Sequence, residues 1–338
     1  MKAIIMQVAS YLPEYILTND ELAITYPEWS VDKIYDKTGI SARHIIAEDE
    51  TCSDMAIKAA EKIFETNKIQ RSEIDFILLC TQSPDYKLPT TACIVQKALD
   101  IPTTCGALDF NLGCSGYVYG LGLAKGLIES GQANNILLIT SELYSRYISH
   151  GDKSVRTLFG DGATATLLSG VQSDMDKIGP FVYGSDGSGQ DNLIVPHGGS
   201  KYPIDIQSSE VFSDNSGNSR ALNNLYMNGG EIFTFTLKSV AKVVFELLEK
   251  ANINLHEIDY FVFHQANKFI LDKLCKRIGI TPEKFLRSYE SYGNTVSSSI
   301  PLGLEKAVLN NKFKSGDKIL IVGFGVGYSW AGTIITWS

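Results

Sequence analysis

The chain has 338 residues, 44% of them hydrophobic and 20% charged, which is the make-up of a globular protein with one or two domains. Its formal charge of −8 and sequence pI of about 5.2 disfavour a nucleic-acid partner, and no block of like charges forms a basic arm or an acidic tail. The start, "MKAIIMQVASYLPEYILTND", lacks the apolar core and cleavage site of a secretory signal, and no run reaches the ~18 apolar residues of a membrane helix, so a cytoplasmic protein is expected.

Helical and strand patterns alternate along the chain, which argues for an α/β fold. Cys52, Cys80, Cys93, Cys105, Cys114 and Cys275 show no CxxC and no zinc-ligand spacing. No metal site is therefore expected, and most of these residues read as buried free thiols.

The first informative segment is "EKIFETNKIQRSEID" (61–75), an amphipathic helix and turn leading into the buried strand "FILLC" (76–80). It aligns without gaps, at an offset of 184, with "FELLEKANINLHEID" (245–259), which leads into "YFVFH" (260–264). A second pair follows in the same order: "GLAKGLIESGQANNILLIT" (122–140) resembles "GLEKAVLNNKFKSGDKILIVG" (303–323) at an offset of 181. Two pairs in one order point to two halves of similar topology, residues 1–170 and 171–338. Carrying Cys80 across lands on His264, and carrying Cys114 across lands on Thr295, beside Asn294. Three polar or reactive residues then fall near strand ends and helix starts, where open α/β sheets hold their sites.

Between the paired segments, "CGALDF" (105–110) reads as a strand running into "LGCSGYVYG" (112–120), with Cys114 at the turn into a helix. A thiol there meets unpaired backbone N–H groups and the positive end of the helix dipole, which favours its thiolate. Taken alone, a buried filler thiol is as good a reading. The stretches "FGDGATATLLSG" (159–170) and "YGSDGSGQDN" (183–192) read as turns beside strands. In "FHQANKFI" (263–270), His264 is followed by Gln265 and Asn267 at a helix start, where their side chains could orient the imidazole. "SYGNTVSSSIP" (291–301) offers either turn chemistry or an amide donor at Asn294. "VGFGVGYSW" (322–330) is not a Walker loop and does not open a βαβ unit; its glycines free the backbone to aim an N–H at a reacting carbonyl. His44, His150, His197 and His256 have no convergent partners in the sequence and read as structural or surface residues.

Taken together, Cys114 in "GCSG", His264 in "HQAN", Asn294 in "GNT" and the "GFGVG" loop resemble the β-ketoacyl-acyl-carrier-protein synthase III family of thiolase-fold condensing enzymes. The likeness extends through "KTGISARHI" (37–45), "LPTTACIVQKAL" (88–99) and "FGDGATA" (159–165). It implies a thiolase-like α/β fold of two duplicated halves in an α-β-α-β-α arrangement. It also implies that Cys114 takes an acyl group from an acyl-coenzyme A thioester. The acyl group is then condensed with malonyl-acyl carrier protein as carbon dioxide leaves, with no cofactor beyond the substrates. His264 and Asn294 would stabilise the enolate, and the backbone N–H groups of Cys114 and Val326 would form the oxyanion hole. A homodimer is implied, with Leu88 entering the partner's acyl pocket.

Some residues depart from the family pattern. Val326 stands where glycine is common. Lys33 and Lys37 replace a Trp and an Arg that clasp the coenzyme A nucleotide, so stacking on its adenine is expected to be lost. Phe269, next to Lys268 and after Asn267, replaces an Arg of the substrate-binding set. These changes suggest a specialised pathway or a primer delivered by a carrier protein. Lys273, Lys276 and Arg277 share one helix face and are the candidate carrier-protein dock. Two other readings are acyl transfer from Cys114 to a hydroxyl or amine acceptor, and an inactive partner subunit of a condensing enzyme.

Overall fold

The computed structural model describes all 338 residues. The principal strands are β1 (Lys2–Tyr11), β2 (Phe76–Cys80), β3 (Gly106–Phe110), β4 (Asn135–Glu142), β5 (Gly162–Val171), β6 (Ile178–Ser185), β7 (Tyr260–Phe263), β8 (Lys318–Gly325) and β9 (Ser329–Thr336). One sheet has the order β1-β5-β4-β2-β3 and the other β7-β8-β9-β6. In the first, β2 runs parallel to β3 and β4, while β4–β5 and β5–β1 are antiparallel. The second repeats those senses: β7 is parallel to β8, and β8–β9 and β9–β6 are antiparallel. The edge strand β3 has no full counterpart; a single bridge between Phe261 and Phe285 stands in its place.

Seven helices matter for the layers: α1 (Val31–Thr38), α2 (Cys52–Phe64), α3 (Thr91–Ala98), α4 (Gly116–Glu129), α5 (Gly229–Ala251), α6 (Lys268–Ile278) and α7 (Ser299–Leu309). Helices α2 and α3 pack on the outer face of the first sheet through Met55, Ala59, Ile63 and Val95. Helices α5 and α6 cover the outer face of the second through Val240, Val244, Leu271 and Leu274. Between the sheets lie α4 and α7, whose Tyr117, Leu121, Ile128, Ile300 and Leu304 join Leu78, Leu138, Ile319 and Ile321 in one cluster. Each such aliphatic side chain contributes about 1.5–3 kcal/mol on burial. The result is the five-layer α-β-α-β-α arrangement. A helix between two sheets must be apolar all round, which is why "GYVYGLGLAKGLIE" shows little amphipathicity. Its Gly120 lets the helix touch β4, where a Cβ would fall 2.4 Å from a methyl of Leu138.

The paired segments seen in the sequence occupy matching places. Short 3₁₀ turns at Arg71–Glu73 and Leu255–Glu257 precede β2 and β7. In each, a glutamate, Glu73 or Glu257, accepts the backbone N–H three residues back. Asp75 then accepts backbone N–H bonds from Asn134 and Asn135, and Asp259 accepts one from Lys318, tying each turn to the next strand. The starts of α4 and α7 differ by 183 positions, so the positional counterpart of Cys114 is Ser297 rather than Thr295. The strands after these helices, Asn135–Glu142 and Lys318–Gly325, also start 183 positions apart, so the offset of 181 holds only for the match inside the helices. No helix is long and apolar enough to cross a membrane.

Candidate active site

The middle-layer helices α4 and α7 both begin on one side of the molecule, and the loops before them carry the candidate residues. A cavity of about 70 Å³ lies there, lined among others by Cys114, His264, Asn294, Asn267, Phe159 and Gly325. Cys114, His264 and Asn294, separated by up to 180 positions in sequence, therefore share one space.

Cys114 is buried beside the last turn of β8. The approach is close: a Cβ on Gly325 would stand 2.8 Å from its Sγ, and a Cβ on Gly323 would stand 2.6 Å from its carbonyl oxygen. Sequence reading gave these glycines the task of freeing the backbone. Here they lie in a regular strand, and what they supply is the absence of a side chain where strand and nucleophile loop touch. The loop is further tied by a 2.7 Å contact between the hydroxyls of Ser115 and Ser329.

The thiol is not the ready thiolate that a helix terminus suggests. Burial pushes it up to about 12, and the buried Glu142 carboxylate pushes the same way. The backbone N–H groups of Cys114 and Val326 act in the opposite sense by hydrogen-bonding the sulfur. These are the two amides that the sequence picked as an oxyanion hole, and both face the reacting atom. Glu142 is itself held at about 8, mainly by burial, and accepts hydrogen bonds from Gln82 N–H, Ser83 Oγ and Ser297 Oγ.

His264 follows β7, with its N–H bonded to the Val322 carbonyl and its ring edge-on to Phe324. Burial lowers its pKa to about 3, so the imidazole is neutral. Neither Gln265 nor Asn267 orients it, contrary to expectation. The Gln265 side chain donates to the Phe263 carbonyl and accepts from Ser288 N–H, while Asn267 caps α6 through Ile270 N–H. The orienting group is Ser299, whose Oγ lies 2.7 Å from His264 Nδ1 and accepts the Gln265 N–H. The ring is also hydrogen-bonded to the backbone of Val296. Ser299 was missed because a serine run before a helix has no individual signature.

Asn294 is also directed by a local bond. Its Oδ1 accepts the Val296 N–H at 3.0 Å, which leaves the amide NH₂ as the free donor. Val296, the residue making that turn, has φ +54°, a strained value for a β-branched residue. The backbone of Asn294 is anchored to the neighbouring segment by its N–H to the Leu158 carbonyl and its carbonyl to the Gly160 N–H.

The remaining candidates are dispersed. Leu88 is 83% exposed and does not line the cavity of its own chain. Lys33 and Lys37 are exposed on α1, with their ammonium groups 5.5 and 5.2 Å from the ring of Trp29. An indole is thus present beside these lysines after all, four residues before Lys33. Lys268 pairs with Asp272, and Phe269 stacks on Phe233. Lys273, Lys276 and Arg277 are exposed together on the outer face of α6.

Two layered sheets, with a cysteine and an asparagine ahead of the two buried helices and a neutral histidine at the end of β7, define a thiolase-fold acyl-condensing enzyme. Comparison with known proteins narrows this. Residues 108–187 match the family described as 3-Oxoacyl-[acyl-carrier-protein (ACP)] synthase III, and residues 248–337 match its C-terminal part. The Clostridioides difficile (strain 630) β-ketoacyl-[acyl-carrier-protein] synthase III is 38% identical over 340 residues, spanning 100% of this chain and 99% of that protein. A solved 3-oxoacyl-(acyl-carrier-protein) synthase III is 49% identical with a TM-score of 0.98, covering 100% of both chains. The 3-oxoacyl-(acyl-carrier protein) synthase of Burkholderia xenovorans LB400 is 36% identical with a TM-score of 0.92, over 100% of this chain and 95% of that one. The chain belongs to the β-ketoacyl-acyl-carrier-protein synthase III family and is an acyl-condensing transferase. Neither acyl transfer to a hydroxyl or amine nor an inactive partner role is favoured by these relatives.

The buried thiol gives a direct expectation. Below a pKa of about 12 the thiolate fraction rises tenfold per pH unit, so iodoacetamide inactivation should accelerate through pH 7–10 without a plateau. Above pH 8, where Glu142 ionises, Glu142→Gln removes the adverse charge and should raise the alkylation rate, with little effect at pH 7. A plateau near pH 7 would show a thiolate already formed.

Proposed function

We propose that Cys114, His264 and Asn294 carry out a two-step decarboxylative condensation with no cofactor besides the substrates. In the first step the Cys114 sulfur attacks the carbonyl of an acyl-coenzyme A thioester. The C–S bond to coenzyme A breaks, the thiol proton leaves with the free coenzyme A, and an acyl-enzyme remains. In the second, the carboxylate of malonyl-acyl carrier protein departs as carbon dioxide. The electron pair it leaves forms an enolate whose oxygen accepts hydrogen bonds from His264 Nε2 and Asn294 Nδ2. The enolate carbon attacks the acyl-Cys114 carbonyl, the C–S bond breaks, and the sulfur regains a proton. The tetrahedral oxyanion of each step is held by the Cys114 and Val326 N–H groups.

The observation that carries this reading is the convergence of the three side chains on one small cavity, with the histidine neutral and the Asn294 NH₂ unpaired. The cavity volume of about 70 Å³, bounded by Phe159, Leu193, Met227 and Ile232, favours a short acyl primer. Trp29 offers a face for the adenine, and Lys33 and Lys37 lie beside it for the phosphates. A cytoplasmic location accords with six free cysteines. The matching strand orders support residues 1–170 and 171–338 as two copies of one unit.

The working state is a homodimer. Strand β3 is an open sheet edge with Leu108 45% exposed, and the exposed Tyr86 and Leu88 lie in the loop after β2, the neighbouring strand. Sedimentation should therefore give twice the chain mass, and a monomer at micromolar concentration would refute it. Carrier protein docks on Lys273, Lys276 and Arg277. The double variant Lys276→Glu, Arg277→Glu should raise KM for malonyl-acyl carrier protein by about tenfold with KM for the acyl thioester unchanged; equal effects on both would remove the dock.

Mass spectrometry of the intact protein after exposure to short acyl-coenzyme A tests the chemistry. An acyl adduct is expected on the wild type and none on Cys114→Ala. His264→Ala and Asn294→Ala should still acylate while condensation falls by about 10²–10³, the range for loss of one oxyanion donor. Loss of acylation in both variants to the same degree would contradict the assignment to the second step.

A further inference from the structure

A second pocket, of about 350 Å³, lies on the far side of Phe159 from Cys114. One wall is the antiparallel strand pair of residues 15–18 and 42–45, and the other is the segment 145–156. Its apolar lining includes Leu17, Ile148 and Phe159, and its polar lining includes Arg146, Arg156 and His150.

Arg156 is the unusual member. It forms no ion pair and no side-chain hydrogen bond, and its Nε is buried without a partner. Behind it, fully buried Arg43 donates to the carbonyls of Leu17 and Thr157 and to Asn19 Oδ1, again with no carboxylate within salt-bridge distance. Arg146 likewise donates only to backbone carbonyls, those of Ala47, Glu48 and Glu50. The nearby acids are committed elsewhere or stand off. Glu21 accepts from Thr18 and Tyr15, and Asp161 accepts from Ser145 and Ile46. Glu48, which lines the pocket, makes no salt bridge to any of the three. A half-buried guanidinium with empty donors costs stability unless an anion completes it.

We propose that this pocket binds an amphiphilic anion, an apolar chain ending in a carboxylate or a phosphate, with Arg156 as its principal anchor. The guanidinium fork suits either headgroup, and the aliphatic and phenyl walls suit the chain. Occupancy reaches the Cys114 cavity through Phe159, which lines both spaces, and through the bonds of Leu158 and Gly160 to the Asn294 backbone. The pocket therefore adjoins the condensing centre without being part of it. Its binding test does not depend on the proposed chemistry, so the two can fail separately.

Calorimetric titration of the full chain with octanoate and with octyl phosphate tests the proposal, with octanol and inorganic phosphate as controls. One anion is expected to bind saturably, one per chain, and the tighter of the two identifies the headgroup. Octanol and phosphate should each bind about tenfold more weakly, because each lacks one half of the ligand. Arg156→Leu should weaken binding by about tenfold and Arg156→Lys should restore part of it, with the basal condensation rate unchanged in both. Binding should survive alkylation of Cys114, which separates this pocket from the catalytic one. The unfolding midpoint of ligand-free Arg156→Leu should stay level or rise. Should that variant fail to fold, slower phenylglyoxal labelling of wild-type Arg156 in saturating octanoate or octyl phosphate supplies the same evidence. Unaltered binding by Arg156→Leu, loss of binding on Cys114 alkylation, or no binding of either amphiphile would overturn the proposal.

Discussion

The contact on which the site depends is that of β8 with the loop before α4. Gly323 and Gly325 bring the strand against Cys114 and Ser115 with no side chain between them. That approach joins the second sheet to the nucleophile of the first and presents the Val326 N–H to its sulfur. A methyl group at either glycine would meet atoms closer than van der Waals contact allows, so strand and loop would have to part. The two amides that hydrogen-bond the sulfur come one from each side of this seam.

Around that seam the polar groups are arranged as donors. His264 is kept neutral by burial, and its ring is held by Ser299. Asn294 is turned by Val296 so that its amide NH₂ faces inward. Such an arrangement stabilises negative charge on oxygen but offers a poor proton source to a neighbouring carbanion. This separation between stabilising and protonating suits carbon–carbon bond formation, in which the enolate carbon must reach the acyl group before it is quenched.

Much of this was legible in the sequence, for definite reasons. The repeat of helix, turn and strand around Asp75 and Asp259 survives as residue identity because each aspartate ties a turn to the following strand. Cys114 and Asn294 stood out because they lie in glycine-flanked turns, and His264 because it ends a strand of the repeat. Ser299 did not, since its role depends on where α7 begins relative to β7. Trp29 was overlooked because position-by-position comparison ignores an aromatic ring shifted by one helical turn. His150 looked isolated because the antiparallel strands of residues 15–18 and 42–45, which form the opposite wall, lie more than a hundred positions upstream. The charge state of Cys114 was misread for a different reason: a helix terminus is a local feature, whereas desolvation and the Glu142 charge come from the whole tertiary environment.

The high pKa of Cys114 bears on how the protein survives between turnovers. Peroxides and disulfides attack sulfur in its thiolate form, and the first product, a sulfenic acid, opens the way to irreversible oxidation. A sulfur kept protonated in a closed cavity is a poor target for such reagents at neutral pH. The two amides that hydrogen-bond the sulfur lower the cost of charge on it at the moment of attack. The resting enzyme thus gains resistance to oxidative damage from the same burial that withholds its nucleophile.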